Sequence, residues 1–176
     1  NAVAHEVDGF NEQAITAHLK SIGTVDISFN AVGVDVKQDV PLTTLTVEEF
    51  VRPVTETLQT RFLTAIAAGK QMMQQGSGVI LSLTATPGGI GYPLTGGFAA
   101  GCAGIESFSR NLAAELGPYG IRVVNIRSGG SPDSSVFKQA LDSDPENMVP
   151  IIRKMEADTM LKRMPGWTMY SQPLSW

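Results

Sequence analysis

The chain has 176 residues, 43% of them hydrophobic and 17% charged, with a formal net charge of −4. That balance suits one soluble α/β domain. Its 13 Lys and Arg residues are scattered, which argues against nucleic acid or an anionic membrane as partner, because phosphate binding needs clustered cations.

No apolar run approaches the ~20 residues of a membrane span. The single cysteine, Cys102, excludes an internal disulfide, and a cytoplasmic setting is expected. Ala2 to Val7 reads as a strand. Asp8 or Asn11 can cap the helix that follows. Ile15, Leu19 and Ile22 form its apolar stripe, and Gly23 sits where a helix C′ glycine belongs. Val25 to Asn30 reads as the second strand and Asn30 to Gly33 as the turn that ends it. Val34 to Leu45 is a loop. Thr46-Val-Glu-Glu49 has the spacing of a capping box, in which the Thr hydroxyl and the Glu carboxylate each satisfy an orphan backbone N–H. A long helix is predicted from there to about Gln75, bent early by Pro53 and ended by Gly76.

Val79 to Leu83 and Ile121 to Ile126 are short, mostly apolar, β-branched runs bracketed by glycines, the pattern of strands buried on both faces. Between them Ala99, Ala103, Ile105, Phe108, Leu112 and Leu116 fall at three- and four-residue steps. Strand, crossover helix and strand make a βαβ unit, which requires parallel strands. Beyond Pro132, Asp133 to Ser135 caps a short helix, Val136 to Leu141. Asp142 to Glu146 reads as an acidic loop, and Met148 to Leu161 as a helix with Pro150 near its first turn. No metal site is expected, since no His-x-Cys, Cys-x-x-Cys or His-Glu cluster occurs.

Two stretches carry a family resemblance. Asn111-Leu-Ala-Ala-Glu-Leu-Gly-Pro-Tyr-Gly-Ile-Arg-Val-Val-Asn125 resembles a helix and strand of the short-chain dehydrogenases/reductases. Asp26-Ile-Ser-Phe-Asn-Ala-Val-Gly33 is similar to that family's Asn-Ala-Gly turn. The resemblance implies a three-layer Rossmann-like parallel sheet over residues 1–165, NAD(P) as cofactor and carbonyl–alcohol oxidoreduction as chemistry. It makes Ala2 to Val7 the family's third strand, so the N-terminal glycine-rich βαβ unit that cradles the pyrophosphate is lacking. Residues 166–176 depart from the family pattern and read as an atypical C-terminal tail, such as a frameshift or fusion would leave.

The resemblance also assigns positions. Asn30, Ala31, Val32 and Gly33 match the turn on the adenosine side of the cofactor. Gly129 and Gly130 match the turn after the last strand of the βαβ unit, and Ser134 falls where a hydroxyl would face the cofactor. The catalytic Tyr-x-x-x-Lys pair falls on Phe98 and Cys102, the catalytic serine on Ala85 and the supporting asparagine near Thr57. Phenylalanine has no exchangeable proton, alanine no hydroxyl and cysteine no fixed positive charge, so the family's proton relay cannot run through them. The expectation is a divergent, apparently truncated member with little or no redox activity. Two other classes stay open: a cofactor-free hydrolase reusing the cleft through Ser82, Thr84, Tyr92 or Cys102, and an interaction module. A homo-oligomer is expected through the helices at 46–75 and 97–116, whose apolar residues run wider than one sheet face can cover.

Overall fold

The computed structural model describes residues 2–164 and Gly166, the side chain of Val136 excepted. The tail reading therefore lies, apart from Gly166, outside the described residues. The chain divides into two compact units, residues 1–127 and 128–176.

In the first unit, α1 (Glu12–Ile22) is capped by Asn11, whose side chain accepts from Ala14 N–H. Strand β1 is Ile27–Asn30. Helix α2 (Val47–Gln75) carries the full capping box: Thr46 accepts from Glu49 N–H and Glu49 returns to the Thr46 backbone. Pro53 lies inside it, and Gly76 ends it with a left-handed φ of 75°. Strand β2 (Gly78–Ala85) leads through a 3-10 turn, Thr86–Gly88, toward α3 (Phe98–Leu116), and β3 (Ile121–Ser128) follows. The three strands form one parallel sheet in the order β1-β2-β3. Ile27 lies opposite Val79 and Asn30 opposite Ser82 in the β1–β2 register. This is the Rossmann-like α/β arrangement that the alternation of elements implies.

Alternate residues explain the core. Ile80, Ser82 and Thr84 on β2 are buried, as is Ile121 at the start of β3. Ile80 and Ile121 meet Ala65, Ala68 and Met72 of α2 and Leu112 and Leu116 of α3. The other side of each strand stays open: Ile27, Phe29, Leu83, Val124 and Ile126 are all exposed. Gln75 closes the lower edge, its side-chain amide bonding both N–H and C=O of Val25.

Three sequence expectations need correction. Ala2 to Val7 forms no strand; a strand exists only where its N–H and C=O groups find a ladder partner, and here the sheet ends at β1. The second is the buried face of α3, which runs through Cys102, Ile105, Glu106, Ser109 and Leu112, while Ala103 points to solvent. In the second unit, α4 (Ser135–Ser143) and α5 (Pro145–Asp158) are joined at the single residue Asp144. The expected acidic loop is thus helical. Asp144 caps α5 through Asn147 N–H, and Pro145 takes the first helical turn, which leaves Pro150 inside the helix.

Glu49 also bonds Lys37. That ion pair and the capping contacts hold its carboxyl down at about 2. Thr46→Ala removes an N-cap and should lower stability by about 1 kcal/mol, read as a shift in the urea midpoint with unchanged slope.

Candidate functional site

The C-terminal ends of parallel strands are where open α/β sheets bind ligands. Here they are the end of β1 with its turn, the end of β2 with the 3-10 turn, and the start of α3.

At the end of β1, Asn30 is buried and turns its side chain toward α2. Its Nδ2 donates to Thr60 O at 3.1 Å and to Thr64 Oγ1 at 2.6 Å. Its Oδ1 accepts from Val32 N–H at 3.0 Å and from the Arg61 guanidinium. Arg61 also donates to Val32 O at 3.0 Å. The Asn30–Val32 turn is therefore pinned to α2 by a buried cation. Burial pulls the Arg61 guanidinium below its usual range. Asn30, Ala31 and Val32 line a cavity of about 270 Å³ with Ser28, Val7 and His18. An alanine Cβ at Gly33 would meet nothing within 4 Å, so packing does not demand glycine there.

The positions assigned to catalysis converge. Ala85 ends β2, and its backbone bonds the Cys102 thiol. Phe98 opens α3, with Cys102 one turn on and 4% exposed. Thr57 of α2 packs against Gly101: a Cβ at Gly101 would lie 3.4 Å from the Thr57 methyl. The 3-10 turn presses on the same spot, since a Cβ at Gly88 would stand 2.7 Å from Cys102 Cβ. Burial pushes the Cys102 thiol up, so at neutral pH it is a thiol and not a nucleophilic thiolate. Of the substitutes, Ser82 is buried within β2 and Tyr92 is half-buried in the loop before α3.

Thr84 is not free. Its Oγ1 donates to Glu106 Oε1 at 3.0 Å and accepts from Asn125 Nδ2 at 2.7 Å. Arg127 grips Glu106 with a fork, Nε to Oε1 at 2.8 Å and Nη2 to Oε2. This network ties β2, α3 and β3 together. Arg127 and the Thr84 hydroxyl hold the Glu106 carboxyl below its usual range against the opposing effect of burial. The network was absent from the sequence reading; its one signal is an acid on the apolar face of α3, at the four-residue step from Cys102. Because the folded carboxyl titrates low, its contribution to stability is complete above the ordinary carboxylate pKa and is lost as pH falls through the depressed folded value. Glu106→Gln should therefore lose stability at about pH 7 and converge on the parent in acid, checked by denaturant unfolding across the pH range.

Gly129, Gly130 and Ser134 belong to the second unit. Gly130 has φ +91°, and a Cβ there would stand 2.9 Å from the Phe137 ring; backbone and packing both require glycine. The Ser134 hydroxyl caps α4, accepting from Phe137 N–H at 3.4 Å. A glycine-rich segment, Gly88 to Gly97, does lead from β2 to α3, but no Gly-x-Gly-x-x-Gly turn follows β1, the first described strand. Nor, among the described residues, do three His, Cys, Asp or Glu side chains gather where a metal ion could bind. No helix among the described residues is long and apolar enough to cross a membrane.

Residues 6–165 match the family described as enoyl-(acyl carrier protein) reductase. The chain belongs to the short-chain dehydrogenase/reductase family. Among the family's members, levodione reductase of Leifsonia aquatica is 36% identical over 137 residues, 77% of this chain and 51% of that protein. The crystal structure of a levodione reductase superposes with a TM-score of 0.77 at 28% identity, covering 91% of this chain and 63% of that one. Sorbitol-6-phosphate 2-dehydrogenase from Erwinia amylovora superposes with a TM-score of 0.83 over 95% of this chain and 68% of that one; at 23% identity that likeness concerns the fold. The chain spans about half the length of the curated short-chain dehydrogenases/reductases it matches. Neighbours of this family have been solved with NAD+ and with NADP bound.

Proposed function

We propose that this short-chain dehydrogenase/reductase chain has little or no carbonyl–alcohol redox activity of its own. The observation that carries the reading is the pair Phe98 and Cys102, one helical turn apart at the start of α3. These are the positions the resemblance gives to the proton donor and its lysine. A phenyl ring carries no transferable proton, and a buried thiol carries no positive charge to lower the pKa of a neighbour. Ala85 adds no hydroxyl. NAD(P) binding by this chain alone is expected to be weak, because the Asn30 side chain is spent on α2 and no Gly-x-Gly-x-x-Gly turn follows β1. Titrating the protein with NADH and NADPH while following nicotinamide fluorescence tests this; saturable binding in the low micromolar range would overturn it.

A hydrolase is disfavoured by Thr84, already committed to Glu106 and Asn125, and by the raised Cys102 thiol. An oligomer through the two long helices, in a cytoplasmic setting, belongs to the same proposal. Ala65, Ala68 and Met72 of the apolar stripe are used inside the core. Phe62, 51% exposed, is left at the seam of α2 and α3, its ring 5.9 Å from that of Phe108. Sedimentation should find a species larger than 18.7 kDa, and Phe62→Asp should shift it to monomer.

A further inference from the structure

We propose that the chain's two histidines, His5 and His18, form a two-imidazole site for a divalent transition cation of the zinc class, at the cavity beyond the end of β1. Both lie in the first unit. Neither occupies a position that the family resemblance assigns, and the inference does not rest on the redox reading.

Nothing in the sequence marks the two residues as a pair; the fold brings them together. His5 lies in the segment before Asp8, and His18 lies on α1. Asp8 reverses the chain between them. Its Oδ1 accepts from Phe10 N–H at 2.9 Å, and its backbone C=O accepts from Asn11 N–H at 3.1 Å. Asn11 then caps α1, and the helix returns past the segment it left. Gly9 seats this turn beside the end of β1, where a Cβ would stand 3.7 Å from a Val32 methyl. The two rings finish with centroids 5.0 Å apart and planes tilted by 53°. His5 is exposed and His18 half-buried, so an ion can reach both from solvent.

That separation suits a shared ion. A zinc-bound imidazole nitrogen sits about 2.0–2.1 Å from the metal, which puts the centres of two rings on one tetrahedral ion roughly 5 Å apart. A bare ring pair packs at the same distance but takes up no ion. The surroundings suit a cation, because no lysine or arginine is among the described residues that line this cavity of about 270 Å³. Asn30 and Thr64 on the same wall are bonded to each other. No carboxylate lines the cavity, so Mg²⁺, which seeks several oxygen ligands, finds no donor set. Imidazole suits Zn²⁺, Ni²⁺ and Cu²⁺, and water would fill the remaining positions. Such an ion would clip residues 2–7, which form no strand, to α1.

The test is calorimetric titration of the untagged 176-residue chain with Zn²⁺, with Mg²⁺ as the control, alongside NMR of the two imidazole C–H resonances. One Zn²⁺ per chain should bind with a Kd on the order of 10 μM. It should shift both resonances and slow amide exchange at residues 3–7; Mg²⁺ should do neither. His5→Gln and His18→Gln should each weaken Zn²⁺ by at least the roughly tenfold that even an outer-shell partner is worth. With EDTA present both variants should melt close to the parent, because neither ring is buried; a loss of binding is then a loss of ligand and not of fold. A shift confined to one imidazole, half an ion per chain, or binding that persists in the double variant His5→Gln/His18→Gln overturns the proposal. Absence of saturation overturns it too, and leaves the rings as a packed pair.

Discussion

Placing the family residues back in this chain, Ala85→Ser, Phe98→Tyr and Cys102→Lys together, should not produce an efficient dehydrogenase. On the positions the resemblance assigns, the three changes supply the proton-handling groups and little else. Hydride transfer also needs the nicotinamide held near contact with the substrate carbon, and such positioning supplies roughly 7–11 kcal/mol of barrier reduction in well-oriented systems. No Gly-x-Gly-x-x-Gly turn follows the first described strand to anchor the pyrophosphate that fixes it. Lysine is also badly placed at position 102. The site is 4% exposed and is closed by the turn at Gly88, and the Arg61 guanidinium already acts on it through space. A second cation there is desolvated and repelled, while the nearby Glu106 carboxylate is held by Arg127. The expected result is a destabilised triple variant with no NADH or NADPH oxidation above background across aldehydes and ketones. Turnover in the ordinary enzyme range of about 1–10³ per second would show that a working cofactor site exists, and the reading of Phe98 and Cys102 as the decisive loss would then need replacing by one in which those residues alone were missing.

The largest loss of stability is expected from Met72→Ala, about 3–4 kcal/mol. Met72 is 0% exposed and sits among Ala68, Ile80, Leu112, Leu116 and Ile121, where α2, α3 and the sheet meet. Truncation removes buried methylene and sulfur contacts and leaves a void. The void cannot collapse easily, since the neighbour on one side is Gly78, which has no side chain to lean in. Against a total stability of roughly 5–15 kcal/mol, the loss should lower the melting temperature by about 10 °C in a chain of this size. Thermal unfolding by circular dichroism checks it, with Phe62→Ala as the companion. Phe62 is 51% exposed in the single chain, so its truncation should cost far less than that of Met72, the loss being confined to the proposed contact between copies. A Met72→Ala protein that melts with the parent would mean the α2–sheet contact is not the core of this unit.

Much of the architecture was legible because it rests on local chemistry. The capping box at Thr46–Glu49 specifies where α2 begins, and Gly76 where it stops, from side-chain reach and left-handed backbone alone. The β-branched run and the glycines around Val79 to Leu83 announce a buried strand, and the three- and four-residue steps that follow announce the crossover helix; the parallel pairing follows from that connection. The family framework was legible for the same reason, since it is written in those turns and strands.

What the sequence could not decide is which groups meet across distance. Ala2 to Val7 has the alternation of a strand, yet strand structure depends on a partner that lies elsewhere in the fold. Asp142 to Glu146 looked like a loop because acids are common there, but Asp144 and Pro145 are a helix cap and first turn. The resemblance places Asn30 in the turn on the adenosine side of the cofactor; that its side-chain amide bonds Thr60, Thr64 and Arg61 is decided only by packing. The bonded pairs Thr84–Glu106, Asn125–Thr84 and Arg127–Glu106 are 21 to 41 positions apart along the chain. No periodicity links residues so far apart. Their network exists because β2, α3 and β3 are folded against one another, which brings a carboxylate, a hydroxyl, an amide and a guanidinium within hydrogen-bonding distance, where the cost of burying each is offset only by the others.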